Sequence, residues 1–160
     1  MQSLGIPAFN HRPSLALLAL VGLLAAAHDV RAQQATQAGI VKVTTGQVTV
    51  QRQGQDSVAS VGLKLYPGDR VVTGADAAAG ITLRDDTLMS LGPKSSFVLE
   101  DFAFNESAGE GKIAVRLAKG TLRYVSGLIG KRSPQSQQVA TPTATIGIRG
   151  TDFIVEVADE

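Results

Sequence analysis

Between residues 39 and 158, apolar and polar side chains alternate in short runs, each ended by glycine or a cluster of turn formers. "GIVKVT", "QVTVQR", "GITLRDDTLMSLG", "SSFVLEDFAF", "KIAVRLAKG", "TLRYVSG" and "TDFIVEVA" share this period of two. Successive side chains of a strand point to opposite faces, so each run buries one face and wets the other. The expected inner faces are Ile81/Leu83, Phe102/Phe104, Ile113/Val115/Leu117, Leu122/Tyr124 and Phe153/Val155/Val157. Phe97 joins them as core. Short strands with a turn signal about every 8–12 residues predict an all-β fold. The expected form is a single compact domain in a twisted solenoid-like or sandwich arrangement. "AVRLAKG" reads as strand, bracketed by Gly111 and Gly120.

The turns carry their own chemistry. Pro67-Gly68-Asp69 suits a tight turn, proline presetting φ and glycine taking positive φ. Asp85-Asp86 reads as a hairpin tip, where glycine in the second place fits better. Residues 105–111, "NESAGEG", form a polar loop, and 130–138, "GKRSPQSQQ", a longer and mobile one.

Ahead of this region, Arg12 precedes an apolar run over 15–27, and the segment closes on Val30-Arg31-Ala32. A basic start, a short apolar middle and small residues before a cut make residues 1–32 a secretory signal, with cleavage after Ala32 or after Ala27. The run is shorter than the roughly 20 residues a helix needs to cross a bilayer. No spanning segment is therefore expected after cleavage. Residues 33–38 are a linker and 39–160 the domain.

Export changes the chemistry that remains. Without Arg12, Arg31 and Asp29, the chain keeps 13 basic and 13 acidic side chains. A balanced surface offers no electrostatic footprint for nucleic acid. Both histidines, His11 and His28, leave with the signal, and the chain has no cysteine. Triads built on His or Cys are excluded, as are the usual zinc and copper ligands. No motif implies a cofactor. With no disulfide, stability rests on packing and strand pairing.

Three stretches in order, "LYPGDRVVTGADAAAGITLRDDTLMSLGPKSSF", "VRLAKGTLRYVSG" and "VATPTATIGIRGTDFIVEV", resemble a FecR-type domain, the family of the ferric-citrate sigma-factor regulator. Its pattern has a "GD.V.TG" strand, a "D.(S/T).L.LGP.S" segment and a late "TP.A..G(V/I)RGT.F.V". The residues that carry it here are Pro67, Gly68, Asp69, Gly74, Gly92, Pro93, Gly147, Gly150, Thr151 and Phe153. Asp86 stands where the family usually has glycine. The resemblance implies an all-β, solenoid-like fold and a periplasmic (or secreted) domain that receives or passes on signals. It is expected here in a stand-alone exported form.

Arg149 lies between two glycines in "GIRG". As scaffold, its guanidinium braces a buried corner against Asp152 or Asp69, because five donors in a rigid fork hold several acceptors. As a binding residue it faces outward, with Asp152, and grips a partner's carboxylate. The scaffold reading is preferred. Asp85-Asp86 lacks the oxygen count of a calcium loop. Asp69, Asp76 and Asp101 are read as solvated turn carboxylates rather than an acid–base pair. Lys94 and Ser95 are adjacent and so face opposite ways.

The leading expectation is an exported, non-catalytic interaction domain whose partner is another envelope protein or a cell-wall component. Peptide capture by an open strand edge is the favoured mechanism, at the margins 39–44 and 152–158. Open edges also permit a homo-oligomer, so a structural or self-assembling β protein is the alternative. A carboxylate-based hydrolase is a remote third.

Overall fold

The computed structural model describes residues 36–149 and 152–158. The leader, most of the linker, Gly150 and Thr151 lie outside the described residues.

Twelve strands join there into one curled sheet. They are β1 (Gly39–Thr45), β2 (Val48–Arg52), β3 (Gln55–Val58), β4 (Lys64–Leu65), β5 (Arg70–Thr73), β6 (Ala78–Leu83), β7 (Leu88–Leu91), β8 (Ser96–Asn105), β9 (Glu110–Val125), β10 (Gln137–Ala140), β11 (Thr145–Gly147) and β12 (Asp152–Val157). The main order is β3-β2-β5-β8-β9-β7-β6-β1-β4, and β10 and β12 also pair with β9 while β11 pairs with β10. Every ladder is antiparallel except β10 on β9.

The long β9 organises the rest. Its first half pairs with β8 and β10, its second half with β7 and β12. The change of partners falls at Gly120, whose φ is +86°. A Cβ there would lie 2.3 Å from Ser95 Oγ and 2.5 Å from Ser95 Cα. Glycine therefore lets the strand bend while the β7–β8 turn presses against it. Alternation predicts one strand ending at Gly120 and another beginning after it. The glycine instead bends a single strand of 16 residues.

The predicted inner faces point inward. Ile81, Leu83, Phe102, Ile113, Val115, Leu117, Leu122, Tyr124 and Val155 are buried, while Phe104, Phe153 and Val157 are partly buried against the same core. Phe97 is fully enclosed. Phe153 stacks on Tyr124 with ring centroids 5.2 Å apart.

Three expectations are corrected. Residues 39–44 are a free margin only in part: β1 is paired on both sides at Gly39 and Ile40 and Val41 bonds to Leu63 and Gly62, whereas Val43 and Thr44 pair with β6 alone among the described residues. The "NESAGEG" loop is shorter than read, since β8 runs to Asn105 and β9 starts at Glu110. Asn105 Oδ1 closes it by accepting the N–H groups of Ser107 and Ala108. Residues 130–138 are structured: a short helix α1 (Leu128–Arg132), one 3-10 turn at Pro134–Ser136, then β10. Ile129 and Gln137 from this stretch are buried. A crossover of this kind is what a chain needs to return parallel to its own strand.

At the β6–β7 tip Asp86 has φ +64°, the left-handed conformation that an L side chain adopts at a cost. Asp86→Gly is expected to raise stability by about 0.5–1 kcal/mol. An unchanged or lower denaturation midpoint would contradict that reading.

Candidate functional site: buried motif side chains and an open strand edge

Asp69 is the first motif residue to resolve. Tyr66, Pro67, Gly68 and Asp69 form a turn closed by the Asp69 N–H donating to the Tyr66 carbonyl, 3.1 Å. Gly68 takes φ +93° at its corner. The Asp69 side chain is 1% exposed and accepts both forks of Arg52, each at 2.7 Å. It also accepts the Tyr66 N–H at 2.8 Å. Arg52 donates further to the Lys64 carbonyl and lies 4.6 Å from the centre of the Tyr66 ring. The hydrogen bond to Asp69 holds the guanidinium above its ordinary pKa. The reading of Asp69 as a solvated carboxylate, or as a partner of Arg149, is thus corrected: it is buried, and Arg52 takes it. Lysine offers no fork, so Arg52→Lys is expected to lower stability by about 1–2 kcal/mol, discounted because Arg52 is partly exposed. Urea denaturation measures it, and a midpoint equal to wild type would refute the role.

Asp85 and Asp86 look alike in sequence and have opposite fates. Asp86 is exposed, whereas Asp85 is fully buried. Asp85 Oδ1 accepts the Thr87 N–H, and Oδ2 accepts the Thr87 hydroxyl at 2.8 Å and the Ile129 N–H at 3.3 Å. Its main-chain carbonyl accepts the Leu128 N–H at 2.7 Å. Thr87 Oγ1 in turn accepts the Gly127 N–H. The carboxylate and its neighbour satisfy the donors at the start of α1 from a distant hairpin. Nearby, the Tyr124 hydroxyl donates to Gln137 Oε1 at 2.6 Å. Burial pushes the Tyr124 phenol well above its ordinary pKa.

Ser95 belongs to the same pattern. It is fully buried, its Oγ donating to the Gly92 carbonyl and accepting the Thr121 N–H at 3.0 Å. The Ser95 N–H donates to Thr73 Oγ1. The hydroxyl thereby pins the Gly92-Pro93 turn to the bend of β9, while Lys94 is exposed. Gly74 accepts the Ala77 and Lys94 N–H groups through its carbonyl. Among the described residues no three acidic side chains converge as a metal site would need. Asp101 pairs with Lys112 at 2.9 Å, and Asp76 is exposed.

Arg149 is exposed and, among the described residues, has no hydrogen bond or ion pair. The buried brace is corrected. Its other candidate partner, Asp152, is held by Arg123, with Nη2 2.6 Å from Oδ2. That hydrogen bond lowers the Asp152 pKa. Gly147 closes β11 and is exposed, with open space around its α-carbon.

What remains unpaired is strand edge. Among the described residues β12 bonds only to β9 and β11 only to β10, as β3 does to β2 and β4 to β1. Two cavities lie between the edges of β11 and β12, of about 540 Å³ and about 310 Å³. The larger runs from Thr141 and Ile146 to Val157, and the smaller from Ile148 and Arg149 to Asp152 and Val155. Both fall within the about 300–1,000 Å³ range of ligand clefts. The margin expected at 152–158 is a true edge among the described residues. No helix there is long and apolar enough to cross a membrane.

A family model described as FecR protein matches residues 69–160. Comparison with curated proteins and with solved structures finds no match.

Proposed function

Since the chain belongs to the FecR protein family, we propose that it is an exported, non-catalytic interaction domain, periplasmic or secreted. It engages another envelope protein or a cell-wall component in signalling or scaffolding. The observation that carries this reading is a division of labour. The polar side chains of the central motifs, Asp69, Thr73, Asp85, Thr87 and Ser95, are buried and bonded within the fold. Main-chain hydrogen-bonding capacity is left over at the edges of the sheet, and that of β11 and β12 lies beside a cleft. Buried, satisfied polar groups hold a scaffold, and an open edge recruits another chain.

A photo-crosslinking residue at Ile154, in intact cells, tests it. The expected result is a discrete adduct with an envelope component, absent when the same residue replaces Val58 on β3. No adduct above background overturns the proposal. A structural, self-assembling role draws on that second margin, where β3 is exposed at all four residues and Val58 is 79% exposed. Elution volume that falls with concentration on gel filtration would favour it.

A further inference from the structure

Independently of that reading, we infer that two copies of the chain pair through β3, antiparallel about a two-fold axis at Val58, so that their sheets become one. The first ground is the state of that edge. β3 follows β2 through a tight turn at Gln53-Gly54, both at positive φ, the form that keeps a hairpin ladder regular. The register is unbroken from Arg52↔Gln55 to Thr49↔Val58. The Ala59 N–H extends it by donating to the Val48 carbonyl at 2.9 Å. Successive main-chain groups of a strand point to opposite sides, so with Ala59 turned to β2, those of Val58 and Asp56 face outward. The segments flanking β3, 53–54 and 59–63, are all described, and among the described residues β3 has no neighbouring strand but β2. Edges are usually blunted by lysine, proline or a bulge. β4 carries Lys64, and β12 carries Asp152 and Glu156. β3 has a single charge, Asp56, which Gln51 Nε2 already reaches at 3.4 Å, and a Val58 that is 79% exposed.

The side chains choose a second copy as the occupant and set its register. Residues opposite each other on neighbouring strands share a face. Val72 on β5, Thr49 on β2 and Val58 on β3 therefore form one row, on the side away from the buried Val48 and Val50. Placing Val58 opposite Val58 of the second copy carries this row through the axis and repeats it in reverse. β-branched neighbours of this kind stabilise a sheet, and the bare side chain is covered. In the same register Asp56 meets Ser60 of the second copy. The two Asp56 residues then stand about 14 Å apart along the strands, beyond the screening length of about 8 Å in physiological salt. Moving the axis to Ser57 would set Val58 against an acid and bring the two carboxylates into diagonal contact. An unrelated peptide offers the main-chain bonds without the matching row. A two-fold contact uses β3 once in each copy, so growth stops at two chains. The interface is small and the dimer weak. It leaves β11 and β12 to other partners.

The test is sedimentation equilibrium of the mature chain over a range of concentrations. The mass should rise from one chain to two and level there. Val58→Lys sets two cations face to face and should raise the dissociation constant of the dimer about tenfold or more. Its circular dichroism should match wild type, because the side chain is exposed. Register is read separately. The chain has no cysteine, so Val58→Cys and Asp56→Cys each introduce one thiol. A bis-maleimide too short to span about 14 Å should join two chains of Val58→Cys and leave Asp56→Cys unjoined. The inference is overturned if the mass stays at one chain throughout, if Val58→Lys associates as wild type does, or if both cysteine variants crosslink equally. A mass that climbs past two chains overturns it in favour of open assembly. In intact cells a photo-crosslinking residue at Val58 should give a product of two chains, and an adduct with a different protein there would overturn it in favour of an external strand.

Discussion

Gly120→Ala is expected to cost about 2–5 kcal/mol of folding stability, much of the roughly 5–15 kcal/mol that a domain possesses. Two penalties add. An L side chain at φ +86° costs about 1–2 kcal/mol. The new methyl meets Ser95 backbone at 2.5 Å, and overpacking of this kind costs about 1–3 kcal/mol. Ser95 cannot retreat, because its hydroxyl and N–H hold Gly92, Thr121 and Thr73. Gly54→Ala separates the two penalties: its φ is +80°, but nothing lies within 4 Å of the added atom. It should cost only the conformational part. Equal urea midpoints for the two variants would show that the contact with Ser95 does not matter.

Asp85→Ala should lose about 3–5 kcal/mol. The substitution removes the acceptor for the Thr87 N–H, the Thr87 hydroxyl and the Ile129 N–H in a site that water does not reach. Each buried donor left without a partner costs about 1–3 kcal/mol, less whatever the Thr87 hydroxyl recovers by turning. Asp85→Asn keeps one carbonyl acceptor and should fall between wild type and alanine. The paired control is Asp86→Ala, one position away on an exposed side chain, with an effect below about 1 kcal/mol. If Asp85→Ala matched it, the hairpin tip would not be anchoring α1.

Alternation told which side of each run lies inside, because a strand with one buried face must repeat every two residues. It reached Phe102, Ile113, Val115, Leu122 and Tyr124 without reference to any partner strand. Glycine was harder to read. Gly120 carries the same local signal whether a strand stops or bends, and the difference lies in Ser95, far away in sequence. Charge pairing was harder still. Nothing local distinguishes Asp85 from Asp86, nor tells Asp69 that its partner is Arg52 rather than Arg149. The stretch before β10 misled for another reason. "QSQQ" has the composition of a loop, yet Gln137 is buried because the Tyr124 hydroxyl meets its amide oxygen. Arg149 reads as a buried cation in sequence because its neighbours are apolar. It sits beside strand edges, where apolar and charged side chains share the surface.

Since β8 and β10 grip one end of β9 and β7 and β12 the other, neither half of the sheet can come apart without disturbing a strand the other half needs. Amide protons along β9 should therefore exchange with solvent only through global opening, and both halves should melt in one cooperative step. The hinge that divides this molecule geometrically is what unites it thermodynamically.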